Sequence, residues 1–353
     1  LIDKLVRHWL EHYGAREVAQ WCLEVWNEPN LKAFWTGGKA GYYRLYQTTV
    51  EAIKNIDPGF KVGGPSSAQN AWIPEFLSYC DKHKLPVDFV TTHYYPTDAF
   101  GKIGADTLTQ LQHAPRDVMK TRAQEASAQT RGLPLYYTEW NVSSNPRDPL
   151  HDQSFAAAFA ANIALSVDPF VAGYSFWTFT DIFEENYFPS IPFHGGFGLL
   201  NLHGIPKPVY RAFQLLHGLG GTLYPVHGSH ATVDVRVSGG ADIVTVFLTN
   251  YAMPRHAIAS EKVRVRLTGA PQPLSAFLSR IDDAHANPQQ AWQDMGAPEY
   301  LSQRQVETLQ AASTLTAEPH ALRVVEKSIE FDVTLPPQSV AALKIEFAPR
   351  PLA

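Results

Sequence analysis

Residues Trp21–Asn30 read Trp-Cys-Leu-Glu-Val-Trp-Asn-Glu-Pro-Asn, and residues Leu135–Asn141 read Leu-Tyr-Tyr-Thr-Glu-Trp-Asn. Each is a short apolar run that ends on a glutamate. Runs of this length, rich in β-branched and aromatic residues, read as buried strands of a parallel sheet. Three more follow the pattern: Phe60–Gly63, Phe89–His93 and Tyr174–Thr178. The first strand is expected over Trp21–Trp26 and the fourth over Leu135–Glu139.

Helical periodicity fills the intervals. It covers Tyr42–Ile53, Ile73–His83, Pro115–Thr130 and Val209–Leu219, and a further helix runs from Ser154 as N-cap to Val167. Leu1, Leu5, Val6, Trp9, Leu10 and Tyr13 also fall at helical spacing, so the sequence opens inside a helix. Strand–helix alternation predicts an α/β architecture with a parallel sheet. Five units suit an open doubly wound sheet, or part of a closed barrel, which needs eight. A longer native protein is the expectation in the second case.

Past about Thr222 the pattern changes to period two. Thr232–Val237, Ile243–Leu248, Lys262–Leu267, Leu322–Val325, Ile329–Leu335 and Val340–Phe347 read as half-buried antiparallel strands. Asp282–Ala312 reads as an insertion with a helix-like run over Tyr300–Leu309.

Composition narrows the function. The 353 residues are 45% hydrophobic and only 18% charged, with 8 Trp, 15 Tyr and 19 Phe, so a large core can be buried. A net charge of −5 gives no footprint for nucleic acid. Two cysteines exclude a disulfide framework and a four-cysteine zinc site. The most apolar stretch, Phe155–Leu165, is too short to cross a membrane. His8 and His12 lie four apart on a helix without a third ligand, and no metal or cofactor is expected. Gly195-Gly196-Phe197-Gly198 reads as a turn rather than a phosphate loop. Asn141-Val142-Ser143 is a glycosylation sequon by pattern, read as chance.

The candidate chemistry sits at the strand ends. In a barrel, catalytic groups lie at the C-terminal ends of strands. Glu28 and Glu139 occupy two such ends, on non-adjacent strands, and can face each other across the mouth. Two facing carboxyl groups meet the requirement for glycoside hydrolysis, one as proton donor and one as nucleophile or base. Trp26, Pro29, Phe34 and Trp35 flank Glu28 and could wall it. His93 and Tyr95, two apart at the third strand's end, share a face if the strand is regular, and either could donate to Glu139. Asn27 could bond a sugar hydroxyl. Trp177 could stack on a sugar ring, and Glu184-Glu185 could accept from vicinal hydroxyls.

The strings EVWNEPNLKAFW, YYTEWN and GYSFWTFTDIFEE resemble glycoside hydrolase family 39, which holds β-xylosidases and α-L-iduronidases. The resemblance implies a (β/α)8 TIM barrel, of which this chain carries only the last five β/α units over residues 1–221, with a C-terminal β-sandwich over 222–353. It implies Glu28 as acid/base and Glu139 as nucleophile of a retaining exo-glycosidase. Asn27, Phe34, His93, Tyr95, Trp177, Glu184 and Glu185 would line the substrate. A xylo-oligosaccharide or aryl xyloside is the expected partner, and neither nucleic acid nor membrane. A uronate substrate is disfavoured by Glu184-Glu185, although Arg147 or Lys207 could approach it. Other family activities, and a non-catalytic carbohydrate-binding barrel remnant, are the alternative readings.

Overall fold

The computed structural model describes residues 1–97, 106–183, 189–240 and 242–348. The chain forms two compact units. The first comprises residues 1–96, 117–141 and 166–177, and the second comprises 97–116, 142–165 and 178–353.

The first unit is a parallel sheet with helices. Its strands are β1 (Cys22–Glu24), β2 (Lys61–Ser67), β3 (Phe89–Tyr94), β4 (Leu135–Trp140) and β5 (Gly173–Phe176). Their spatial order is β1-β2-β3-β4-β5, all pairs parallel. A doubly wound sheet reverses its order at a switch point. This one never reverses, so the open alternative is excluded and the sheet winds in one direction, as a segment of a barrel does. Curvature is visible in the side chains: Thr138 Oγ1 on β4 donates to Glu24 Oε1 on β1 at 2.7 Å. Flat strands three places apart would be ~14 Å away from each other, beyond that reach.

The helices up to residue 217 are α1 (Ile2–Tyr13), the single turn α2 (Ala15–Val18), α3 (Gly38–Lys54), α4 (Ile73–His83), α5 (Thr107–His113), α6 (Val118–Gln129), α7 (Ser154–Val167) and α8 (Pro208–His217), of which α5, α8 and most of α7 belong to the second unit. Helix α4 matches its sequence signals. Pro74 stands in its first turn, Lys82 and His83 in its last, and Ile73, Phe76, Leu77 and Cys80 form its buried stripe. Tyr42, Tyr46, Val50 and Ile53 of α3 are buried, and Tyr46 meets Phe76 edge-on at 4.7 Å. Two of the buried tyrosines keep a hydrogen bond: Tyr42 donates to Val25 O (3.2 Å) and Tyr46 to Pro86 O (2.9 Å). Gly63 on β2 lets the Phe89 ring lie against its backbone, since a Cβ there would sit 2.4 Å from that ring.

The second unit carries β6 (Thr222–Tyr224), β7 (Val233–Gly239), β8 (Ile243–Asn250), β9 (Glu261–Thr268), β10 (Pro273–Ile281), β11 (Glu318–Pro319), β12 (Arg323–Val325), β13 (Ser328–Leu335) and β14 (Ser339–Phe347), with α9 (Pro288–Asp294) and α10 (Gln303–Ala312). One antiparallel sheet has the order β11-β10-β14-β8-β7-β6, another β12-β13-β9. Val246, Leu248 and Leu343 from the first share one apolar core with Ile329, Phe331 and Val333 from the second.

Several sequence expectations need correction. Strand β10 was not foreseen, nor were β6, β11, α2, α5 and α9. The helix expected over Tyr300–Leu309 begins at Gln303, because Ser302 and Gln305 form a reciprocal capping box there. Ser154 is the first residue of α7 rather than its cap, and its hydroxyl donates to Asp283 Oδ1 at 2.6 Å. The segment read as a glycine turn has a more specific setting. Lys207 Nζ lies 2.6 Å from Asp152 Oδ1 and 2.7 Å from Asp181 Oδ2, with all three side chains at 0% exposure. Its third hydrogen goes to Gly196 O at 2.9 Å. Asp152 also accepts from Gly195 N (2.6 Å) and Asp181 from Gly198 N (2.7 Å). A Cβ on Gly196 would sit 2.4 Å from Asp181 Oδ1, so the glycines admit the carboxylates. Burial disfavours the Lys207 charge, but the two aspartates outweigh it and hold the ammonium above its ordinary range. Burial, with the Asp181 charge, pushes Asp152 up despite Lys207.

Candidate active site

The site is built where β1, β3 and β4 end. After β1 the chain leaves regular geometry: Val25 N still bonds Gly63 O (3.2 Å), then Trp26 and Glu28 adopt left-handed φ of 72° and 42°. Such backbone is strained for non-glycine residues and persists only where surroundings hold it. Here Glu28 N donates to Ser66 O at 2.8 Å, which returns the bend to the β2 end. Asn30 clamps the same two loops, accepting from Ala68 N (2.8 Å) and donating to Ala68 O (3.1 Å).

On β4 an irregularity sets the phase. Thr92 pairs with Tyr137, but His93 pairs with Glu139, so β4 passes one extra residue, Thr138. The half-step places Glu139 directly beside His93 on one face of the sheet. His93 Nδ1 then lies 2.6 Å from Glu139 Oε2 and 3.0 Å from Glu28 Oε1. Glu28 and Glu139 retain 7% and 9% exposure, and His93 2%. The remaining ring nitrogen, Nε2, is 3.5 Å from Ser66 Oγ. Burial opposes a charge on His93, yet its hydrogen bonds to Glu139 and Glu28, and their charges, outweigh it and raise the imidazolium pKa to about 9.

One ligand atom from each of Glu28, His93 and Glu139 lies within 4.8 Å of the others, the one such group among the described residues. The nitrogen a cation would need is the one already bonded to both carboxylates, so the geometry is that of a hydrogen-bonded ion cluster. Two facing carboxyl groups can protonate one atom and attack its neighbour.

The other predicted residues are distributed around this centre. Asn27 is exposed and makes no protein hydrogen bond among the described residues. Phe34 is 37% exposed, and its carbonyl accepts from Trp26 Nε1 at 3.1 Å. Trp26 and Trp35 meet at 5.3 Å, edge to face, and Pro29 is buried. Tyr95 is buried just past the end of β3, with its carbonyl taken by Gln69 Nε2 (3.1 Å), so the regular-strand argument for a shared face with His93 does not apply to it. Trp177 follows β5 and is half-buried. Its N–H bonds Trp140 O (3.0 Å), and its carbonyl accepts from Asn141 Nδ2 at 2.5 Å. Glu184 and Glu185 lie outside the described residues. Asn141 is only 1% exposed, which removes it as a glycan acceptor. Lys207, committed to its two aspartates, has no hydrogen left for a uronate.

The sequence reading missed Asn30 and Ser66, which shape the loop beneath Glu28. The Asn after Glu-Pro was a usable signal, since side-chain amides often brace turns.

The model of Glycosyl hydrolases family 39 matches residues 1–325. A protein named Beta-xylosidase from Caldicellulosiruptor saccharolyticus is 43% identical over 98% of this chain and 72% of its own. A second Beta-xylosidase, from Geobacillus stearothermophilus, is 35% identical over 98% of this chain and 69% of its own. The crystal structure of a monomeric beta-xylosidase from Caulobacter crescentus superimposes with a TM-score of 0.84 at 33% identity, covering 99% of this chain and 74% of that one.

Proposed function

The chain belongs to glycosyl hydrolase family 39 and is a glycoside hydrolase; from that premise we propose that it is a retaining β-xylosidase acting on xylo-oligosaccharides. Glu139 attacks the anomeric carbon while Glu28 gives its proton to the departing oxygen. The glycosyl ester on Glu139 is then cleaved by water, whose proton Glu28 takes, and the Glu139 carboxylate leaves. The observation that carries this reading is the approach of the two carboxyl groups, one oxygen of each within 4.8 Å. Retaining enzymes hold their carboxyl groups about 5–5.5 Å apart, whereas inverting ones leave about 6.5–9.5 Å for a water. The xylose assignment rests on the relatives' names and on the absence of a Lys207 contact for a uronate.

Asn27, Phe34, His93, Tyr95 and Trp177, with Glu184 and Glu185, line the sugar in this reading. The unpaired outer edges of β1 and β5, each with one neighbour among the described residues, support a further proposal. The five strands are part of an eight-stranded (β/α)8 TIM barrel completed by three more β/α units, and the antiparallel part beyond residue 221 is a β-sandwich domain. No described helix is long and apolar enough to cross a membrane.

The test is E139A assayed on an aryl xyloside. Turnover should fall at least about 10⁴-fold, as on loss of other catalytic nucleophiles. Wild-type-like turnover in that variant overturns the assignment. Release of α-xylose as first product, seen by proton NMR, overturns retention.

A further inference from the structure

Both carboxylates reach for the same atom of His93. Its Nδ1 is 2.6 Å from Glu139 Oε2 and 3.0 Å from Glu28 Oε1. One N–H cannot point linearly at two acceptors, so the two oxygens compete for it. The second ring nitrogen offers no relief, since it faces Ser66 Oγ at 3.5 Å.

We propose that His93 is a positioning residue that serves the two carboxylates in turn, its Nδ1–H held by Glu139 before the sugar is attached and by Glu28 afterwards. The inference rests on the double-displacement reading above and adds a partner to each half of it. At the start, Glu139 carries the negative charge and Glu28 the proton. Once the ester forms, Glu139 is neutral and Glu28, having given its proton away, carries the charge. A charged acceptor forms the shorter and stronger hydrogen bond. The allegiance of the N–H therefore follows the charge.

The geometry keeps this change local. All three groups lie within 4.8 Å of one another, and a small rotation of the ring or of a carboxylate changes the partner of the N–H. The ring is 2% exposed, so water does not supply a competing donor. Glu28, Glu139 and Ser66 are the groups bonded to it. The carboxylate that carries the charge, Glu139 before the sugar is attached and Glu28 afterwards, keeps the hydrogen on Nδ1 in each half-reaction. His93 gives no proton to the sugar and takes none; every proton that reaches or leaves the substrate passes through Glu28.

The experiment measures both half-reactions in H93A and H93N with an aryl xyloside of good leaving group. There kcat/KM reports attachment of the sugar and kcat reports its release, and the burst amplitude counts working sites. Loss of a donor aimed at developing charge costs ~10²-fold, so H93A should lose about that factor in kcat and in kcat/KM per working site. H93N, whose amide presents N–H where Nδ1 stood, should recover part of both. If kcat/KM falls while kcat is unchanged, His93 serves Glu139 alone and the proposal is overturned. A lower burst amplitude with unchanged rate constants overturns it too, since that is a structural defect. E139A run alongside separates the two levels: turnover surviving there breaks the carboxylate assignment itself, whatever His93 does.

Discussion

Each compact unit buries one cation between two carboxylates, and the two groups differ in how many hydrogens the cation can give. Lys207 has three, and uses them on Asp152, Asp181 and Gly196 O. His93 offers one at Nδ1, to Glu139 and Glu28 together. The lysine group is sealed from water and every charge has its own partner. The histidine group keeps some access to solvent, and its acceptors outnumber the donor. A saturated buried ion group fixes structure, because breaking any bond strands a charge. An undersupplied one retains unsatisfied acceptor capacity, and that capacity is available to a substrate.

The sharpest way to break this comparison is at Glu28. E28A should lower kcat/KM about 10²–10⁴-fold on xylosides with poor leaving groups, the range general acid catalysis covers. With an activated leaving group the same constant should change little. Equal losses on the two substrates would mean that Glu28 is a structural partner of His93, as Asp152 is of Lys207.

Next in size is K207M. It strands two buried aspartates beneath the Gly195–Gly198 loop. A loss of about 3–5 kcal/mol is the expectation for breaking a buried ion group from one side, read from the urea midpoint. A change below about 1 kcal/mol would place this group with ordinary surface pairs.

The two cations also separate by pH. The raised His93 pKa means that its contribution is fully present below the unfolded value of 6.5 and is lost as pH rises through about 9. The gap in stability between wild type and H93N should be on the order of 3 kcal/mol at pH 6 and should close on titration to pH 10. Lys207 stays charged across that window, since its pKa is held above an already high ordinary value. The K207M gap should therefore not close between pH 6 and 9. Parallel pH dependence for the two variants would erase the distinction.

Much of the first unit was legible because its signals are local. The runs at Phe89–His93 and Leu135–Glu139 gave strands whose ends needed only one more residue each. Glu28 and Glu139 stood out because a carboxylate ending a buried run has few cheap places to go. The extra residue on β4 was not legible, since period-two reasoning assumes an unbroken pleat. Nor was the left-handed backbone at Trp26 and Glu28, which rests on bonds to the distant Ser66 and Ala68. The Lys207 group was invisible because Asp152, Asp181 and Lys207 lie far apart along the sequence and meet only in three dimensions. Strand β10, Pro273–Ile281, was hidden by its serines and Arg280, which blur the alternation, and by a proline at its first position. Helix α9 did announce itself, with Asn287 capping Gln290 N ahead of Pro288. That signal was lost in a stretch whose composition reads as loop.

The half-step in β4 bears on any redesign of this scaffold. Drawing the strand as an ideal ladder would put Thr138 opposite His93 and gain a rung of pairing. It would also turn the Glu139 carboxylate to the opposite face of the sheet. Algorithms that reward backbone regularity would score that sequence as an improvement, and it would be a better-folded protein with its nucleophile facing away from the substrate. Idealisation here should stop at Tyr137.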